Sequence, residues 1–230
     1  MATKTHKYLG TGLYTIAEAA LYCRVSTSMM TRWIFGTKAG RSVISPEFES
    51  KERFVTFLDL VQTLAIREIK EQADVPLIKF RQAIEFAKKN YCLDHIFARN
   101  HFTYLYDEEL IIKPSADTNE YVDASGKNRG QGRLQFVEMY MRDLNYSPDG
   151  LAHKYEIFKS AHGISPVIIT LDPHVRFGEP LLPSGYTALT IRNAIKTEGS
   201  IENTAEAYGI SIDEVEAAYR FGDYLSKRAA

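Results

Sequence analysis

The sequence predicts a mainly α-helical chain with small β elements, built around two helix-turn-helix motifs, the first of them winged. Residues 14–34 (YTIAEAALYCRVSTSMMTRWI) and 200–221 (SIENTAEAYGISIDEVEAAYRF) each read as two short helices around a tight turn. The two stretches align in register: Ile16, Ala20, Arg24, Val25, Ser26 and Met30 stand where Ile201, Ala205, Gly209, Ile210, Ser211 and Val215 recur. Capping signals, helical periodicity and proline stops mark further helices between them.

In the first motif, Thr15 and Glu18 have the spacing of a capping box, and Ile16, Ala19, Ala20 and Cys23 form one apolar face. Ser26 is a ready N-cap for the second helix, with Val25, Met29, Met30, Trp33 and Ile34 directed inward. Thr27, Ser28, Thr31 and Arg32 are left outward, the small polar groups and arginine that a recognition helix presents to a major groove. No acidic residue falls between Ala19 and Pro46, while Arg24, Arg32, Lys38 and Arg41 all do. Phosphate attraction favours that bias. The same pattern also suits a helical hairpin with a plain solvated face.

Phe35 to Val43 (FGTKAGRSV) is short, basic and rich in glycine. It fits a small hairpin, or wing, with Lys38 and Arg41 at its tip on phosphate, and equally a surface loop. Thr56 caps a helix over Phe57–Gln72, with Asp59 in its first turn and Phe57, Leu60, Val61, Leu64, Ile66 and Ile69 as its stripe. Asp74-Val75-Pro76 stops it, and a further helix runs from Pro76 to Lys89 with Leu77, Phe80, Ile84, Phe86 and Ala87 inward. Residues 101–113 (HFTYLYDEELIIK) read as a hairpin. The polar stretch that follows reads as a flexible loop. Gly126-Lys127 lacks the order of a phosphate-binding loop, although the basic Lys127, Arg129 and Arg133 are candidates to graze nucleic acid. Phe136, Val137, Tyr140, Met141 and Leu144 mark a helix, and Lys154–Phe158 a strand.

Val167–Leu171 is a strand; Thr187 caps a helix to Thr197, ended by Gly199. In the second motif Ser211 and Glu214 make the capping box, and Gly209 permits a left-handed turn. Its outward residues include Asp213, Glu214 and Glu216, a poor surface for a phosphate backbone. This copy is therefore expected to contact protein rather than DNA. Asp213, Glu216, Tyr219, Arg220 and Tyr224 are the candidate residues for a partner or a dimer, and Tyr219, Phe221, Tyr224 and Leu225 for an isologous interface.

Composition bounds the rest. With 230 residues, 45% hydrophobic and 12% aromatic, the chain has material for a core and is not globally disordered. Residues 1–113 carry 16 Lys+Arg against 13 Asp+Glu, and the remainder 12 against 16, so the halves suit different partners. The two cysteines, Cys23 and Cys92, are too few for a disulfide framework and are expected buried and reduced, in the cytoplasm. Neither a signal peptide nor a membrane-spanning stretch is seen.

The order helix, helix, wing, helix, helix, with the phrase FLDLVQTLAIREIKEQADVPLIKFRQAI, resembles the DNA-binding domain of MerR-type regulators. DPHVRFGEP (172–180), Thr187 and the 200–221 run resemble a small bacterial domain family, formerly of unknown function, found in antitoxins encoded beside PIN-type ribonuclease toxins. Together the arrangement is similar to the large VapB-type antitoxins. The domains implied are residues 1–113, MerR-like and winged; 114–165, a connector; and 166–230, a C-terminal antitoxin-type helical domain. The resemblance implies a cytoplasmic homodimer that neutralises a cognate PIN-type ribonuclease toxin. It also implies repression of its own operon at an inverted-repeat operator. Base contacts are assigned to Thr27, Ser28, Thr31 and Arg32, and phosphate contacts to Arg24, Lys38 and Arg41.

Other classes compete. Cys92, His95 and His101 match no standard zinc spacing, and Asp107, Glu108 and Glu109 read as a solvated turn rather than a nuclease's acidic cluster. No catalytic, metal or cofactor site is expected, and the chain is not expected to be an enzyme. A ligand-responsive MerR-like regulator without a toxin is the alternative, with Tyr91, Phe97, Phe102, Tyr104 and Tyr106 as pocket candidates. The long helix that pairs subunits in that family is not evident, since Phe57–Lys89 is broken at Pro76.

Overall fold

The computed structural model describes residues 12–38, 40–46, 53–100, 103–106, 109–112, 122–124, 143–161 and 166–226. Its residues gather into two compact units, Met1–His153 and Lys154–Ala230. Helices dominate, with small β elements beside them.

The first unit begins with a two-stranded antiparallel ribbon whose strands each launch a helix. β1 (Gly12–Thr15) pairs with β2 (Phe54–Thr56), Thr15 opposite Phe54 and Gly12 opposite Thr56. Thr15 caps α1 (Ile16–Tyr22) and Thr56 caps α3 (Phe57–Ala73), each through a complete capping box, with Glu18 and Asp59 reaching back. Between them lies α2 (Thr27–Phe35), capped by Ser26. Asp74, in a left-handed conformation at φ 45°, ends α3, and α4 (Leu77–Tyr91) starts directly after Pro76.

The six residues expected as the α3 stripe are all buried, but the stripe is not the whole story. Every residue from Val55 to Ile66 is buried, including Thr56, Asp59, Gln62 and Thr63. The first half of α3 is thus covered all round, as a central rather than an amphipathic helix is, while Arg67, Glu68 and Lys70 are half-buried and Glu71 is exposed. Its polar members each find a hydrogen-bonding contact inside the unit. Asp59 accepts from the Thr56 N–H at 3.3 Å, the Thr63 hydroxyl donates to the Asp59 carbonyl at 2.8 Å, and the Gln62 amide lies 3.1 Å from His95 Nδ1. Around α3's second half, Trp33, Val43 and Ile44 join Ile66, Ile69, Val75, Phe80, Ala83, Phe97 and Leu110 in one apolar cluster.

After a short 3₁₀ turn (Ile96–Ala98), β3 (Thr103–Tyr106) and β4 (Glu109–Ile112) form the expected hairpin, Tyr106 opposite Glu109, and β5 (Val122–Asp123) adds to β4. The loop residues Gly126, Lys127, Arg129 and Arg133, and the helix expected from Phe136 to Met141, lie outside the described residues. Leu144, expected in that helix, belongs instead to strand β6 (Leu144–Tyr146). A turn at 147–150, closed by Ser147 N–H on the Leu151 carbonyl at 2.9 Å, leads into β7 (Ala152–Ser160). That strand is longer than the Lys154–Phe158 segment read from sequence.

In the second unit β7 pairs antiparallel with β8 (Val167–Leu171), Tyr155 opposite Leu171 and Ser160 opposite Val167. Thr187 caps α5 (Ala188–Glu198), which ends at Gly199 with φ 83°. α6 (Ile201–Tyr208) and α7 (Ile212–Ser226) follow. Ile169, Leu171, Ile191, Val215, Ala217, Ala218, Phe221 and Leu225 are buried here, and Phe158 packs on Phe221 and Tyr224 with ring centroids 5.7 and 5.4 Å apart. Among the described residues no helix is long and apolar enough to cross a membrane.

Candidate functional site

The residues proposed to read a nucleic acid sit on α1, α2 and the loop behind them. Cys23 ends α1, and Arg24 takes a left-handed conformation at φ 54°. The Val25 N–H then donates to the Ala20 carbonyl at 3.0 Å, which closes the turn and aims α2 across α1. Ser26 Oγ accepts from the Met29 N–H at 3.1 Å. Ala19, Ala20 and Cys23 from α1, and Met30, Trp33 and Ile34 from α2, are buried, while Ile16, Val25 and Met29 are half-buried.

That burial leaves Thr27, Ser28 and Arg32 exposed and Thr31 half-buried, as the helical spacing requires. The Thr31 hydroxyl donates to the Thr27 carbonyl at 2.8 Å, so it offers lone pairs rather than its proton. Ser26 and Ser28 share a hydroxyl contact of 3.0 Å. α2 thus presents two exposed hydroxyl side chains, a third hydroxyl at its edge, and one guanidinium, with Arg32 in its last turn.

Behind α2, Gly36 takes φ 72° and the chain folds back at once. Thr37 and Gly40 bridge in antiparallel fashion, their N–H groups donating across the turn at 2.8 and 3.2 Å. This is a hairpin in miniature, with Lys38 and Arg41 both exposed. Val43 and Ile44 then donate their N–H groups to the Trp33 carbonyl at 2.7 and 3.0 Å, which fastens the loop to the end of α2.

Two contacts that no local signal announces support these parts from α3 and α4. Arg67 donates to the Cys23 carbonyl at 2.6 Å and pairs with Glu68 and Glu71, so a shielded guanidinium holds the end of α1. Arg81 donates to the carbonyls of Ser42 and Arg41. Cys23 lies beneath the turn with its thiol 3.5 Å from the Leu60 carbonyl; burial drives its pKa far up and the Arg67 charge opposes this only in part. Cys92 departs from the expected burial. It caps α4 in a left-handed conformation at φ 54° and is exposed.

The second helix pair repeats the turn. Gly209 has φ 63° where Arg24 has 54°, and Ile210 N–H donates to the Ala205 carbonyl at 3.1 Å as Val25 does to Ala20. Ala205 and Val215 are buried like Ala20 and Met30. Here the surface differs. Positions matching Thr27, Ser28 and Thr31 hold Ile212, Asp213 and Glu216, and no Lys, Arg or His occurs between Thr197 and Tyr219.

Of the candidate partner residues, Tyr219 is exposed; Asp213, Glu216, Arg220 and Tyr224 are half-buried, with Arg220 3.9 Å from Glu216. Phe221 and Leu225 are 0% and 3% exposed, so the isologous interface imagined to include them must do without them. Both point from α7 into its own unit's core. Ser211 caps α7, its Oγ accepting from the Glu214 N–H at 3.2 Å and donating to Glu214 Oε2 at 3.4 Å, while Glu214 Oε1 accepts from Ser184 N–H at 2.8 Å. Glu214 therefore ties the 182–186 turn to the helix start. Ile212, exposed to 49%, is an apolar member of this face that the sequence reading passed over.

The DPHVRFGEP segment is a tight turn. Asp172 Oδ1 accepts from the His174 N–H at 2.9 Å, and Arg176, Phe177 and Gly178 all take positive φ, of 44°, 56° and 84°. Phe177 is 75% exposed. His101, Asp107 and Glu108 lie outside the described residues, and so do the side chains of Phe102, Tyr104, Tyr106 and Glu109. Phe97 is core, and Tyr91 packs on Phe86 at 5.9 Å. Among the described residues no group of three or more His, Cys, Asp or Glu is placed to hold a metal ion.

No protein-family model matches this chain, and no curated protein matches it. Among solved structures it is similar to the crystal structure of Rv2018 from Mycobacterium tuberculosis. The TM-score is 0.63 and the identity 16%, over 91% of this chain and 98% of that one. At that identity the likeness is one of fold.

Proposed function

We propose that the chain is a DNA-binding antitoxin of a bacterial toxin–antitoxin pair, with a winged helix-turn-helix in its first unit and a second, protein-binding helix-turn-helix in its second. One observation carries the DNA half. The exposed face of α2 and the loop behind it hold Thr27, Ser28, Arg32, Lys38 and Arg41, in a stretch without a single acidic residue from Ala19 to Pro46. A nine-residue helix is about 13 Å long at 1.5 Å per residue, a length that a major groove admits.

Arg32 offers a bidentate donor pair to a guanine edge, and the hydroxyls of Thr27, Ser28 and Thr31 suit other base edges. Arg24, Lys38 and Arg41 set register on phosphates. A dimer would place two such helices roughly 34 Å apart, on an inverted repeat. The protein then acts by occupancy, as a repressor of its own operon in the cytoplasm.

The acidic copy of the same motif supports a different task for the second unit. Asp213, Glu216, Tyr219, Arg220 and Tyr224 would bind the cognate PIN-type ribonuclease, or a second subunit. The test is purification of the tagged chain after co-expression with its neighbouring genes, followed by a mobility-shift titration on the upstream DNA. A co-purifying small ribonuclease together with a salt-sensitive shift supports both halves. A shift without a ribonuclease would leave a MerR-like ligand-responsive regulator, and the absence of both a shift and a ribonuclease would refute the proposal.

A further inference from the structure

We propose that Arg81 is a positioning residue for the basic loop: it holds the backbone of Arg41 and Ser42 so that Lys38 and Arg41 meet phosphate, without touching DNA itself. This rests on the DNA-binding reading and deepens it. Arg81 projects from α4, whose backbone is anchored on either side by Phe80 and Ala83, both 0% exposed. Phe80 packs in turn against Phe97 with ring centroids 5.6 Å apart. From that fixed base Nε donates to the Ser42 carbonyl and Nη2 to the Arg41 carbonyl, each at 2.8 Å.

Two donors on one edge of a planar guanidinium thus meet two consecutive carbonyls. A lysine has no such fork and satisfies the pair poorly, although it keeps the charge. The loop has few other restraints in its second half. Thr37 and Gly40 pair with each other, and Val43 and Ile44 fasten to Trp33, which leaves the carbonyls of Arg41 and Ser42 to Arg81. The two carbonyls stand on either side of the Ser42 Cα, so Arg81 sets the direction in which the chain leaves the hairpin.

The test compares Arg81→Lys, Arg81→Gln and the Lys38→Ala/Arg41→Ala pair in the full chain, with amide exchange and DNA binding as separate readouts. Both Arg81 variants are expected to speed exchange at the Thr37 and Gly40 amides by about tenfold or more, the scale of losing charge-assisted hydrogen bonds. Exchange in the middle of α3 stays unchanged. On upstream duplex DNA the log–log salt slope becomes shallower by about 1–2, as for one or two lost phosphate contacts. Added to the Lys38→Ala/Arg41→Ala pair, Arg81→Gln lowers affinity no further.

Normal exchange and normal binding in Arg81→Lys would overturn the proposal, since charge alone would then suffice. A loss that adds in full to that of the pair would overturn it too, because Arg81 would be acting on its own. If the unsubstituted protein binds no DNA, the functional reading falls and this role with it. Faster loop exchange in the variants would in that case mark Arg81 as a purely architectural clamp.

Discussion

Gly36 and Gly209 both take a positive φ but should answer the same substitution differently. Their φ angles are 72° and 63°. Gly209, at ψ 37°, is left-handed helical, where an alanine costs about 1–2 kcal/mol. Gly36, at ψ −170°, lies in a region essentially reserved for glycine, where an alanine costs about 1–3 kcal/mol. The stiffer unfolded chain offsets either by roughly 0.4–1 kcal/mol. At Gly209 an added Cβ meets nothing within 4 Å, so the cost stops at about 1 kcal/mol. At Gly36 the Cβ would lie 2.9 Å from the Ser42 backbone nitrogen and 3.0 Å from the Gly40 carbonyl oxygen. Neither contact is a flexible side chain, so the hairpin itself must shift, which adds about 1–3 kcal/mol. Gly36→Ala should therefore cost about 2–5 kcal/mol and weaken DNA binding, while Gly209→Ala should leave DNA binding unchanged. Because two units need not unfold together, native-state amide exchange, read separately in α3 and in α7, is the suitable assay. Equal costs at the two glycines, or a larger one at Gly209, would refute the reasoning.

Three further predictions concern buried and strained groups. Of the two thiols only Cys92 should react with a thiol reagent in the folded chain, and Cys23 only on unfolding. Burial keeps Cys23 protonated in the folded state, whereas the unfolded chain releases that proton above its ordinary value of 9.0. The unfolded state then binds fewer protons, so stability falls as pH rises past that value, by up to about 1.4 kcal/mol per unit. Burial of Tyr146 adds a loss of the same sign above 10.0. Urea melts between pH 8 and 10 should show the slope, and Cys23→Ala should flatten it; an unchanged slope would count against the buried thiol. Phe177→Gly should stabilise the second unit by about 0.5 kcal/mol, because strain of roughly 1–2 kcal/mol at φ 56° outweighs the extra flexibility of glycine. A melting temperature that drops would show Phe177 to be packed more than its exposure implies.

The parts of this fold governed by neighbours in sequence were readable from it. Thr15, Ser26, Thr56, Thr187 and Ser211 each accept from an amide three residues on. That contact needs only local geometry, so a pattern search finds it. Arg24 stands where the second copy has Gly209 and so read as a departure from the pattern, yet it takes the same left-handed conformation, at φ 54°. Long-range contacts were hidden. Arg67 reaches Cys23 across 44 positions and Arg81 reaches Ser42 across 39, and no local pattern carries such pairs. The all-round burial of the first half of α3 was masked by Asp59, Gln62 and Thr63, whose hydrogen bonds let polar side chains lie inside. Cys92 misled because it follows an apolar helix but caps it on the solvent side. Phe221 and Leu225 misled in the opposite sense: four apart on α7, they share the face turned to its own core.

The most direct test of the central claim is binding of a fluorescent duplex, taken from upstream of the protein's own gene, by the unsubstituted chain and by Arg32→Ala across a salt series. The account predicts affinity that falls steeply with salt. It also predicts a loss of about 1–3 kcal/mol in Arg32→Ala, with relaxed preference at one base position of each half-site. Equal affinity of both proteins for every duplex, whatever its sequence, would contradict it, and α1 and α2 would then be no more than a packed helix pair with a polar outer face.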